Sequence, residues 1–247
     1  MKTLHIVIDA SPISIDRGRG YRRHVLGLIK ALAENKQAFR YFILSSDCQI
    51  KNILPKNDSR FQWEHPRRRI PMFYRRGVGI LGRLFLKDID FAHFPCGDIW
   101  SSPRGKAIVT IHDLAPLHFP KYFFTNLKEE TAYRQKLARI ARYASMILTV
   151  SDYSREDVLR HLNVSDQKVR TVYNYLDPVF IKQKETMNRQ HIQVASSEAP
   201  YFLFVGALDF RKNIPLLLEA FKELELIHTI RPHQVSTQDY HQLYKII

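Results

Sequence analysis

Residues 201–221 read YFLFVGALDFRKNIPLLLEAF. A near-continuous apolar run from Tyr201 to Val205 stops at Gly206. After four intervening residues come Arg211, Lys212 and Asn213, and then Ile214, Leu217, Leu218, Phe221, Leu224 and Leu226 recur at helical spacing. This is the pattern of a buried strand, a tight loop and a helix start. The loop carries two adjacent cations where a phosphate would be held. A single strand–loop–helix unit cannot bury both of its faces, and this one begins at residue 201 of 247. The expectation is one full α/β domain over residues 1–182, a polar linker over 183–200, and the start of a second domain over 201–247.

A similar unit opens the chain. Leu4 to Ile8 is a β-branched run, expected to be the first and central strand, and Asp16 to Tyr21 (DRGRGY) is a glycine-punctuated loop. Tyr21, Val25, Leu26, Leu28, Ile29 and Leu32 follow at helical spacing. Gly18 and Gly20 do not form a GxGxxG fingerprint. They either ease a turn or let the backbone approach a ligand closely. Further strands are expected at Tyr41–Leu44, Phe61–Trp63, Asp90–Phe94, Ala107–Ile111, Met146–Val150 and Val169–Val172. An amphipathic helix is expected over Leu127–Ala144 and another after Ser151. Strands alternating with helices predict a Rossmann-like parallel sheet.

Ligands in such sheets sit beyond the carboxyl ends of the strands. His112 and Asp113 directly follow the buried run AIVTI and are therefore site candidates. His112 could donate a hydrogen bond or take a proton. Asp113 could orient it, or cap the following turn. An HD pair also occurs in metal-dependent phosphohydrolases, but further histidine and aspartate ligands do not follow at a recognisable spacing, so that class is not expected. Ser151 or Ser154 can cap the helix after MILTV, and that helix start also suits an anion.

The formal charge of +14 favours an anionic partner, and 45% hydrophobic residues support a real core. Cys48 and Cys96 stand far apart and imply neither a disulfide framework nor a metal site. The opening MKTLHIVIDA is too short in its apolar run for a signal peptide, and no stretch reaches 18 apolar residues. A cytoplasmic location is expected. Residues 65–87 (HPRRRIPMFYRRGVGILGRLFLK) interleave basic and apolar side chains. They fit either a helix with one core face and one solvated basic face, or peripheral contact with an anionic membrane or phosphorylated lipid. Recognition-helix, zinc-finger and RNP patterns are not evident, so nucleic acid is not an expected partner.

Residues 18–25 (GRGYRRHV), 107–117 (AIVTIHDLAPL), 148–157 (LTVSDYSRED), 169–180 (VRTVYNYLDPVF) and 202–221 together resemble the GT-B glycosyltransferases of family 4, most of all their mannosyltransferase-type members. The resemblance implies two Rossmann-like domains facing across a cleft, the first on the acceptor side and the second binding the nucleotide sugar. It implies retaining, metal-independent transfer of a hexose, mannose first, from a nucleoside diphosphate sugar to a glycan or lipid-linked acceptor. GDP-mannose is the favoured donor, with UDP-sugars as the alternative, and no cofactor is needed. Arg211 and Lys212 would neutralise the donor diphosphate, with Gly206 and Asn213 in the same loop. Gly18, Gly20 and Tyr21 would belong to the N-terminal glycine loop. His112 would reach the transferred sugar, Ser151 would lie at the cleft floor, and Asn174 would lead towards the hinge. Family members continue well past residue 247 and supply a pair of glutamates near a glycine-rich loop. A truncated or frameshifted product, or a natural fragment, is therefore expected. The rival expectation is a catalytically incomplete fragment that only binds glycan, lipid or protein.

Overall fold

The structure, a computed structural model, describes residues 3–14, 19–35, 37–65, 89–99, 106–176, 204 and 212–223. The chain divides into two compact units, Met1–Asn188 and Arg189–Ile247.

The first unit is built on a sheet whose strands are β1 (Leu4–Asp9), β2 (Phe39–Leu44), β3 (Phe61–Glu64), β4 (Phe91–Phe94), β5 (Ala107–Ile111), β6 (Ala144–Thr149) and β7 (Val169–Thr171). Their order is β3-β2-β1-β4-β5-β6-β7, and every neighbouring pair is parallel. The expected α/β class with a parallel sheet is what the described residues of this unit have. β1 is interior but third in the order. The central strand is β4, because two strands lie beyond β1 on one side and four on the other.

Parallel strands covered on both faces read as apolar runs rather than as strict alternation. Here the alternation appears in which core each residue enters. Val7, Phe42, Leu44, Ala92, Phe94, Val109 and Ile147 belong to one buried cluster. Ile8, Tyr41 and Ile43 belong to the other. Helix α1 (Arg19–Glu34) covers the second cluster through Val25 and Ile29. On the first face lie Leu137 and Ile140 of α4 (Leu127–Tyr143) and Val158 of α5 (Asp152–His161). Burying side chains of this size stabilises the fold by about 1.5–3 kcal/mol each. Between α4 and β5 lie two short helices, α2 (Ala115–His118) and α3 (Pro120–Phe123).

Local caps set the helix boundaries. Asn126 accepts from Glu129 N at 3.0 Å to start α4, and Glu129 Oε2 accepts in return from Thr125 N at 2.9 Å. The far end of α4 differs from expectation by one residue. Ala144 has extended backbone and joins β6, because its side chain is buried against Ala107 of β5 in the sheet. Helix α1 starts earlier than expected, at Arg19, so Gly20 lies in its first turn and not in a loop. The last carbonyls of α1 are bound by Arg60, whose guanidinium donates to Ala33 O at 2.9 Å and to Asp58 Oδ2 at 2.7 Å. In the second unit the described helix is α6 (Ile214–Glu223), which has no buried residue. Ile214, Leu218 and Phe221 are half-buried, as its periodicity requires, while Leu216 and Leu217 are exposed.

Candidate functional site

The sheet order reverses between β1 and β4: β2 and β3 extend one way from β1, and the later strands extend the other. In a doubly wound sheet, a crevice opens at that switch point beyond the carboxyl ends of the strands. Of the described candidates, His112 is tied to the end of β4, and Tyr21 packs against it.

β5 ends at Ile111, and His112 and Asp113 follow it. His112 Nε2 donates to the carbonyl of Pro95, just past β4, at 2.9 Å. This holds the neutral ring in the tautomer with Nε2 protonated and Nδ1 as an acceptor. Two rings of α1 meet it edge-on, Tyr21 at 4.9 Å and His24 at 4.6 Å between centroids. Burial lowers the pKa of His112 most, and nearby His24 acts in the same direction. The Pro95 carbonyl and Asp113 oppose the shift without reversing it.

His24 Nδ1 donates to Asn174 Oδ1 at 2.9 Å. Its Nε2 is buried without a hydrogen-bond partner among the described residues. Burial lowers its pKa also, against the pull of Asn174. Beneath this pair lies His93 on β4. Ala92 and Phe94 enter one core cluster, so the period-two pleat points His93 to the α1 face. There its Nε2 lies 2.9 Å from Thr110 Oγ1 on β5. Burial drives its pKa down to about 3, with His24 adding to the effect. Cys96 is pushed up to about 12 by burial and by Asp9, so it is a thiol and not a nucleophile.

The histidines of this crevice are therefore neutral near pH 7. They offer hydrogen-bonding nitrogens, not positive charge. That chemistry suits neutral hydroxyl groups. A phosphate bound nearby would need its counter-charge from arginine or lysine.

Asp113 takes the structural one of its two expected roles. Its Oδ1 accepts from Ala115 N at 3.1 Å, capping the turn into α2. Ser151, not Ser154, is the N-cap of α5, accepting from Ser154 N at 3.1 Å. Ser154 Oγ in turn donates to the carbonyl of His112 at 2.8 Å. The cap of one helix thus holds the end of the neighbouring strand. The segment after β7 returns across α1 and α5. Tyr173 donates to Asp152 at 2.7 Å and Tyr175 to Glu34 at 3.0 Å. Gly27 makes room for this strap, since a Cβ there would stand 3.0 Å from Tyr175 Cβ.

The structure thus brings Tyr21 and His112 together and ties Ser151 to them through Ser154. Gly20 is exposed, with nothing within 4 Å of where its Cβ would be. Packing therefore does not require a glycine there. Gly18, Gly206 and Arg211 lie outside the described residues, as does the basic stretch 65–87 beyond His65. In the second unit Lys212 is exposed, and Asn213 has φ +45°, a left-handed conformation that asparagine tolerates better than most residues. Sequence reasoning missed His24. Its signal was present, because it lies three residues after Tyr21 and so shares a helix face with it.

Fold and site together define a doubly wound α/β domain with His112, Tyr21 and His24 packed together beyond the end of β5. Residues 18–180 match the profile of Glycosyltransferase Family 4, and the chain belongs to that family. It is similar to the O-antigen chain mannosyltransferase B of Escherichia coli, 28% identical over 123 residues, which are 49% of this chain and 32% of that protein. It is similar also to the O-antigen chain mannosyltransferase RfbU of Salmonella typhimurium, 29% identical over 107 residues, 43% of this chain and 26% of that protein. A further match, to the ribosomal RNA small subunit methyltransferase A of Sulfurimonas denitrificans, is 68% identical over 31 residues, 13% of this chain and 12% of that protein. That length is too short for a domain. The matches thus span about a third or less of these curated relatives. Among solved structures, Anabaena HepE in complex with UDP and glucose overlaps 74% of this chain and 50% of its own, at 12% identity and a TM-score of 0.40. A Rickettsia africae glycosyltransferase overlaps 98% of this chain and 56% of its own, at 11% identity and a TM-score of 0.43.

Proposed function

We propose that the protein transfers a hexose, mannose first, from a nucleoside diphosphate sugar to a hydroxyl of a glycan or lipid-linked acceptor. Membership of Glycosyltransferase Family 4 supports sugar transfer. The two relatives called mannosyltransferases support the choice of sugar. The observation that carries the reading for this chain is the packing of His112 between Tyr21 and His24, with its tautomer set by Pro95. A neutral imidazole of fixed tautomer can accept a hydrogen bond from a sugar hydroxyl without adding charge beside the reacting carbon. In this reading Arg211 and Lys212 neutralise the donor diphosphate and stabilise its developing charge as it leaves. Side chains can fill that role without a metal, and the anomeric configuration is retained. The arrangement is GT-B, with residues 1–182 on the acceptor side and 201–247 on the donor side. Transfer would take place in the cytoplasm, with residues 65–87 against an anionic membrane surface.

The test is release of GDP from GDP-mannose, with UDP-sugars assayed in parallel and an acceptor glycan present. His112→Ala is expected to lower kcat/KM by about 100-fold or more, as loss of a positioned hydrogen-bonding group does, and to leave GDP affinity nearly unchanged. Unaltered turnover in that variant would refute the role of His112. A second reading is a catalytically incomplete fragment that only binds glycan, lipid or protein. Calorimetric binding of an acceptor glycan, with neither donor binding nor product formation, would select it.

A further inference from the structure

We propose that His118, Asp157 and His161 bind one divalent transition-metal ion of the zinc class, linking α2 to α5. This site shares no residue with the His112 cluster and is independent of the sugar-transfer reading. Asp157 is 3% exposed and lies one helical turn after Ser154. A buried carboxylate needs compensation. Here it comes from two imidazoles.

His118 Nε2 lies 2.9 and 2.8 Å from the two carboxylate oxygens. His161 Nδ1 lies 3.1 Å from Asp157 Oδ1 and donates to the Asp157 carbonyl at 2.9 Å. The two rings stand 5.1 Å apart at 83°. The three ligand atoms all lie within 4.8 Å of one another.

A tetrahedral zinc ion, with bonds of about 2.0–2.2 Å, places its ligand atoms about 3.3–3.5 Å apart. The two nitrogen–oxygen separations are already close to that. Asp157 and His161 share one helix face at a spacing of four. Both imidazoles are about one-third exposed, at 33% and 32%, so rotation of either ring can complete the set, and an ion can enter from solvent. Each ring would bind through the nitrogen now turned to the carboxylate, with its proton on the other nitrogen; for His161 the ion would replace the bond from Nδ1 to the Asp157 carbonyl. Two imidazoles and one carboxylate favour zinc, cobalt, nickel or copper over magnesium or calcium. A water would fill the fourth position.

The first residues of α2 follow directly on His112 and Asp113, and α5 is capped by Ser151. An ion here would tie the segment after β5 to the helix after β6.

The experiment uses the full chain without an affinity tag. Zinc is titrated in competition with a chromophoric chelator, and cobalt(II) serves as a visible-absorption probe of tetrahedral geometry. One equivalent is expected. Loss of an outer hydrogen-bond partner of a zinc ligand costs about 10–100-fold in affinity, so His118→Gln and His161→Gln are each expected to cost at least about 100-fold. Both positions are partly exposed, and both variants should keep the wild-type circular dichroism spectrum. The chain has 11 histidines, and His65→Gln, a control elsewhere, should bind as wild type. Absence of stoichiometric binding in the wild type, or equal binding in wild type and both variants, overturns the proposal.

Discussion

Mild acid should destabilise this protein through His93. The ring is 8% exposed, on the α1 face of the sheet, beside Thr110. Burial holds its folded-state pKa at about 3, and His24 contributes in the same direction. In the unfolded chain the same group titrates near 6.5. Between these values the unfolded state binds more protons than the folded one. Its contribution to stability is therefore complete above about pH 6.5 and is lost as pH falls towards 3. Each unit corresponds to about 1.4 kcal/mol. At pH 5 the loss is about 2 kcal/mol, and across the whole window about 5 kcal/mol. A domain is typically stable by about 5–15 kcal/mol in total, so one side chain can decide acid unfolding. The assay is urea unfolding followed by tryptophan fluorescence at pH 7.5, 6 and 5. His93→Gln keeps a polar group for Thr110 and removes the titration. Its stability at pH 7.5 should be lower than wild type, but its further loss on going to pH 5 should be smaller by about 2 kcal/mol. A residual slope should remain, because burial also lowers the pKa values of His24 and His112. Equal pH slopes in wild type and variant would refute the assignment to His93.

The same shift bears on activity: because burial lowers the pKa of His112, the acid limb of kcat/KM for sugar transfer should lie below pH 6.5, and a midpoint at or above 6.5 would contradict a neutral ring held by burial. Ser151→Ala should cost about 1 kcal/mol in urea unfolding through loss of the α5 cap, while Ser151→Asp should keep most of the stability. Gly27→Val should cost about 2 kcal/mol by overpacking against Tyr175, and should loosen the hydrogen bond between His24 and Asn174, seen as a change in the His24 ring resonances. Wild-type stability in Gly27→Val would show that the strap shifts without cost.

Much of the fold was legible because its signals are local. The strand at Ala107–Ile111 was legible to the residue, since a five-residue run with four β-branched side chains, bounded by a turn, has few alternatives. Ser151 was readable as one of two possible caps because capping acts over three residues. Two of the differences are at boundaries where tertiary contacts compete with local preference. Ala144 continued a helical stripe but was taken by the sheet, where it pairs with Ala107. Gly20 read as a loop glycine, yet the helix begins before it.

The sequence by itself determined a parallel α/β domain, the family, and a histidine at the end of β5, because apolar period, turn residues and short motifs act between near neighbours. The tertiary structure decided the strand order and with it the position of the switch point. It decided that Asp113 caps a turn while Pro95 orients His112. It alone joined His24 to Asn174 across 150 residues, and His118 to Asp157 across 39. Contacts over such separations are set by how helices pack on the two faces of the sheet, and no local spacing encodes them.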